Sequence, residues 1–121
     1  MEHALSAYHP NLPHGAGLIM ISRAYFSYFV RNHACDERFI RLARAMGMPE
    51  ADKPEYFLTA LVRLQEACGV VGLKISDYGI AFDEAEKFMR NAREVMGVMF
   101  TSDRVQMTDA DIVRIYEESW R

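Results

Sequence analysis

From Leu18 to Val30 the chain is apolar on nearly every side of a helix, and this stretch sets the class of fold. Leu18, Ile21, Tyr25, Tyr28 and Phe29 share one helical face, and Ile19, Met20 and Phe26 widen it until little polar face is left. Such a helix has to be wrapped by others, which places it at the centre of a bundle. It is too short to span a bilayer and carries Ser22, Arg23 and Ser27.

The rest of the chain supplies the wrapping. Phe39, Ile40, Ala43 and Met46 form the stripe of a helix over Asp36 to Met46, with Gly47 as its stop. Pro49 and Pro54 bracket a linker, and Pro54 suits the first turn of a helix that buries Phe57, Ala60, Leu61, Leu64 and Cys68. Gly69 and Gly72 end it, and residues 73–80 read as a loop or a single helical turn. A further helix starts near Asp83, with acids in its first turn and Ala85, Phe88, Met89, Ala92, Val95 and Met96 along one side. The last begins at Thr108-Asp109-Ala110-Asp111, where the Thr108 hydroxyl can accept a free backbone N–H, and its inner face is Ile112, Ile115 and Tyr116. Nowhere do apolar and polar residues alternate as in a strand. The expectation is an all-α bundle of about five helices, forming one domain over residues 1–121.

A chain of 121 residues, half of them hydrophobic, can bury a core without disulfide or metal staples. The formal net charge of −3 favours neither nucleic acid nor an anionic membrane. Cys35 and Cys68 have no CxxC or metal-ligand spacing and read as free, buried or half-buried thiols in a reducing compartment. Residues 1–15 lack the basic and apolar regions of a signal peptide. The expectation is a cytoplasmic protein.

Those first fifteen residues hold the chemistry. His3, His9 and His14 are three of the four histidines, and imidazole is the commonest protein ligand for a transition metal. His14 lies between Pro13 and Gly15 at the start of the long helix. There the macrodipole disfavours an imidazolium, and the neutral ring is the form that binds metal. Spacing alone favours Pro-His-Gly as helix-start punctuation, His3 as an exposed terminal histidine and Glu2 as a surface carboxylate. His33 matches no motif and reads as a surface residue. Tyr25, Phe26, Tyr28 and Phe29 read as core rather than as a cofactor-stacking box. Gly15-Ala16-Gly17 follows no strand and is no phosphate loop, and no nucleophile–histidine constellation is present.

The segment Glu2-His3-Ala4-Leu5-Ser6-Ala7-Tyr8-His9-Pro10-Asn11-Leu12-Pro13-His14-Gly15 resembles the H-x-L-G/S-A … P-H-G signature of the iron-containing (group III) alcohol dehydrogenases. The likeness continues through Ile75-Ser76-Asp77-Tyr78-Gly79-Ile80 and closes on Met107-Thr108-Asp109-Ala110-Asp111-Ile112-Val113-Arg114-Ile115-Tyr116-Glu117. It covers the chain in the family's order. The resemblance implies the C-terminal helical domain of the dehydroquinate synthase-like, iron alcohol dehydrogenase fold. In that family a Rossmann-like N-terminal domain binds NAD(P), and the helical domain holds one Fe2+ or Zn2+ through an aspartate and three histidines. The metal polarises the alcohol or carbonyl oxygen while hydride passes to or from the nicotinamide.

Carried over by position, His14 corresponds to the last metal-binding histidine. His3 corresponds to a histidine beside the nicotinamide and substrate, a catalytic neighbour rather than a ligand. The stretch from His3 to His14 is one position longer than the family's usual spacing, and His9 within it could approach the role of His3. The resemblance puts the remaining three ligands upstream of Met1. It therefore implies a chain that is inactive alone and completed by an N-terminal nucleotide-binding domain or chain. The apolar surface left uncovered would favour a homo-oligomer. The alternative is a stand-alone helical binding or structural module that kept the fold and lost the chemistry.

Overall fold

A computed structural model describes residues 1–121. Six α-helices follow one another: α1 (Glu2–Tyr8), α2 (His14–Arg31), α3 (Asp36–Ala45), α4 (Glu55–Ala67), α5 (Ala85–Phe100) and α6 (Asp109–Ser119). Short 3-10 turns at Ile75–Tyr78 and Phe82–Glu84 punctuate the connection from α4 to α5. The architecture is all-α, as its periodicity predicts, with one helix more than expected. The addition is α1, where Ala4 and Leu5 are each 1% exposed and Pro10 prevents continuation. No helix is long and apolar enough to cross a membrane.

The long helix α2 is the central rod, and α1, α4 and α6 all pack on it. Its buried side is Met20, Ile21, Ala24, Tyr28 and Phe29, while Leu18 lies outside. On one flank the ring of Phe26 meets Phe57 edge-on at 5.1 Å, and Phe57 stacks on Phe39 at 5.0 Å, locking α3 and α4 against α2. On the other flank Leu5, Phe88, Ile112, Ile115 and Tyr116 join α1, α5 and α6.

Two inward faces differ from expectation. On α4, Leu64 and Cys68 are exposed and Gln65 is buried in their place. Gln65 donates from Nε2 to the Ser22 hydroxyl at 3.0 Å, and Ser22 donates to the Ile19 carbonyl at 2.7 Å. A polar pair between α2 and α4 thus sets their rotation, which apolar spacing does not reveal. On α5, Met96 departs from helical geometry (φ −128°, ψ 20°). The kink turns Phe100 inward and leaves Val95 63% exposed. Cys35 and Cys68 are both free thiols.

The termini of the elements follow local chemistry. Gly47 has φ +93°, a left-handed conformation that stops α3 where a side chain would be strained. At α6 the Thr108 hydroxyl accepts from the Asp111 N–H at 3.2 Å, and Asp111 Oδ2 accepts from the Thr108 N–H at 2.9 Å. The Thr108 N–H, together with the Thr108 hydroxyl donating to the same Oδ2 at 2.8 Å, holds the Asp111 carboxyl below the usual aspartate range, and the Tyr28 hydroxyl reaches that oxygen at 3.2 Å. The Tyr116 hydroxyl donates to the Met1 carbonyl at 2.7 Å, tying the start of α1 to α6.

Candidate functional site

Pro13, with φ −63° and ψ 132°, turns the chain into α2 and makes His14 its first residue. This brings the start of α2 alongside the start of α1. His3 and His14 stack with ring centroids 5.2 Å apart and planes 14° from parallel. Glu2 completes the group. One ligand atom from each of Glu2, His3 and His14 can be chosen so that all lie within 4.8 Å of one another. Two imidazoles and a carboxylate suit a divalent transition ion such as Fe2+ or Zn2+, so the residues present fit such a metal.

Glu2 is the unexpected member. Sequence reasoning makes it a surface carboxylate, but it is only 3% exposed. Its space comes from Gly17, where an added Cβ would stand 2.6 Å from Glu2 Oε1. The Ser6 hydroxyl donates to Oε1 at 2.5 Å. The other oxygen, Oε2, is in close contact with Nδ1 of His14 and has no aligned hydrogen-bond partner. The carboxylate also lies against the first turn of α2, where the helix dipole favours negative charge. The sequence signal for this was present: Glu2 and Ser6 share one face of α1 at i and i+4, opposite a helix that begins with small residues. Gly15 opens onto free space, whereas the room at Gly17 is filled by Glu2 rather than left around the His14 ring.

The His14 side chain is 55% exposed, and His3 is also exposed. His9 is directed elsewhere. Its Nε2 meets Glu84 Oε2 at 3.0 Å and its ring packs edge-on against Phe88, so His9 does not take the place of His3. His33 pairs through Nδ1 with Asp36 at 2.8 Å on the surface, far from the site in sequence and in role.

Beside Glu2 a cavity of about 460 Å³ opens between α2 and the kinked end of α5, walled by Leu18, Ile21, Tyr25, Phe26, Met99 and Phe100. The Tyr25 hydroxyl points to Asp103 Oδ1 at 3.4 Å. Burial and then the neighbouring carboxylate push the Tyr25 phenol up to about 12, and burial raises Asp103 in turn. Leu18 and Met99 on this wall are 47% and 59% exposed, and Val98 next to them is 75% exposed. Tyr25 and Phe26 are half-buried cavity walls, while Tyr28 and Phe29 are core.

No known protein family and no curated protein matches this sequence. Solved structures do. The alcohol dehydrogenase ADH/D1, from an archaeal halo-thermophile of a Red Sea brine pool and bound to NZQ, superposes with a TM-score of 0.85 at 21% identity. The match covers 98% of this chain and 32% of that one. A histidine-to-alanine mutant of the same enzyme matches with a TM-score of 0.79, at the same identity and coverage. The chain spans about a third of the length of these structures. It therefore has the fold of a helical portion of an archaeal alcohol dehydrogenase.

Proposed function

We propose that this chain is the helical, metal- and substrate-side domain of an iron-dependent, NAD(P)-linked alcohol dehydrogenase, completed by a nucleotide-binding half on the same or another polypeptide. The observation that carries this reading is the meeting of His3 and His14, residues of two different helices, in one stacked pair beside a buried carboxylate. Resemblance of the His3–His14 segment to the family motif assigns the roles. His14 is the metal ligand and His3 stands by the substrate and nicotinamide.

When bound, Fe2+ or Zn2+ supplies a Lewis acid for the alcohol or carbonyl oxygen. His14 contributes one ligand from the rigid start of α2. His3, exposed and stacked on it, orients the substrate and can accept or return its proton at a ring nitrogen. The nucleotide-binding half would bring the nicotinamide and the remaining ligands and shield the site from water. Leu18, Val98 and Met99 form the apolar surface that this half, or a second copy of the chain, covers. We propose that the 121-residue chain alone forms a homo-oligomer through that surface and does not reduce NAD(P). Nucleic acid and membrane are not among its partners.

Metal analysis and an alcohol-dependent NAD(P) reduction assay on the chain, alone and joined to a nucleotide-binding half, test the reading. Activity and metal are expected in the joined protein and lost in His14→Ala. Turnover by the 121-residue chain alone, or a joined protein whose metal content ignores His14→Ala, would overturn it. A clean monomer in light scattering at micromolar concentration would refute the oligomer.

A further inference from the structure

We propose that Glu2 is a positioning residue for His14: its buried carboxylate holds the Nδ1 edge of the ring and turns Nε2 outward as the metal-binding atom. This deepens the functional reading above and rests on it for the identity of the ion. A carboxylate can only accept, so the proton of a neutral His14 ring is drawn to Nδ1, leaving the Nε2 lone pair free. The geometry is built rather than incidental. Glu2 is only 3% exposed, one oxygen is fixed by Ser6 at 2.5 Å, and the other, without an aligned hydrogen-bond partner, lies in close contact with His14 Nδ1. Only a glycine at position 17 leaves room for it. A surface carboxylate would have no need of any of these. Outer carboxylates of this kind fix the tautomer and ring orientation of ligand histidines and raise their basicity.

The same geometry distinguishes Glu2 from a direct ligand. One oxygen takes the Ser6 hydroxyl and the other lies against His14 Nδ1, so in this arrangement the carboxylate is engaged with the protein rather than free to take an ion. The chain would then present His14 as the ligand with the carboxylate behind it, not a three-ligand site.

Nitrogen-15 NMR of the histidine rings in the metal-free 121-residue chain, at a pH where the rings are neutral, reads the tautomer directly. Free histidine favours Nε2–H. His14 is expected to be Nδ1–H in the parent chain and in Glu2→Gln, whose amide oxygen still accepts, and to revert to Nε2–H in Glu2→Ala. A parent His14 in the Nε2–H form overturns the proposal without any variant. A parallel Zn2+ titration is expected to show affinity lowered roughly 10–100-fold by Glu2→Ala and largely restored in Glu2→Gln. Equal affinity in Glu2→Ala would refute positioning, and so would Gln failing to restore binding, as expected if Glu2 were itself a ligand. A Glu2-dependent Nδ1–H tautomer with no Zn2+ bound by any form would support the carboxylate clamp while counting against the metal reading.

Discussion

Gly17→Ala probes the Glu2 pocket through stability, and its effect should change sign with the residue at position 2. Gly17 lies within α2 and has no left-handed backbone, so on helix propensity alone alanine should stabilise by about 0.5–1 kcal/mol. Against this, the new Cβ would stand 2.6 Å from Glu2 Oε1 and 2.8 Å from its Cγ, so the buried carboxylate must leave its place. Moving it breaks the Ser6 bond and the His14 contact, and overpacking of this sort costs about 1–3 kcal/mol. The net expectation is a loss of about 1 kcal/mol in the parent chain. In a Glu2→Ala background the obstacle is gone, and the same change should stabilise by about 0.5–1 kcal/mol. The coupling in the double-mutant cycle is then on the order of 2 kcal/mol, large for a pair and measurable in urea. In thermal melts of a domain this size the two single steps should move Tm by about 4 °C in opposite directions. If Gly17→Ala raises Tm equally in both backgrounds, the carboxylate is not seated where the structure places it.

Two further predictions concern the supports of the site. Burial opposes charge on Glu84, but Lys87, the Ala81 N–H and His9 together hold its carboxyl down to about 2, from an ordinary 4.5. A depressed folded-state value means stability that is complete above pH 4.5 and lost as pH falls towards 2. Glu84→Gln should therefore be less stable than the parent at pH 6 and no less stable near pH 2; a gap unchanged with pH would refute this. Thr108→Ala removes the hydroxyl that caps α6 and should cost about 1 kcal/mol, with Thr108→Ser retaining most of it; equal losses in urea unfolding would count against the cap.

The all-helical class was legible because Leu18 to Val30 can be nothing but a buried helix, and because Gly47 and Thr108 mark ends whose backbone chemistry is local. Rotation of α4 was not legible, since Leu64 and Gln65 differ by one position and only the Ser22 partner on another helix decides between them. The kink at Met96 carries no proline and only Gly97 beside it as a mark, and Val95 just before it is exposed rather than buried. At the site, Pro13 and Gly15 mark the start of α2 and so the placement of His14. Glu2 left only its i, i+4 pairing with Ser6 as a mark, because its burial depends on an absent side chain at position 17, on a different helix.

The bond from Tyr116 to the Met1 carbonyl orders events in time as well as in space. A polypeptide leaves the ribosome from its N-terminal end. The histidine segment is therefore made before α6, and the helix that moors it emerges 115 positions later. Until then α1, only seven residues long, is too short to persist by itself. The seating of His3 beside His14 thus waits on a helix made after both.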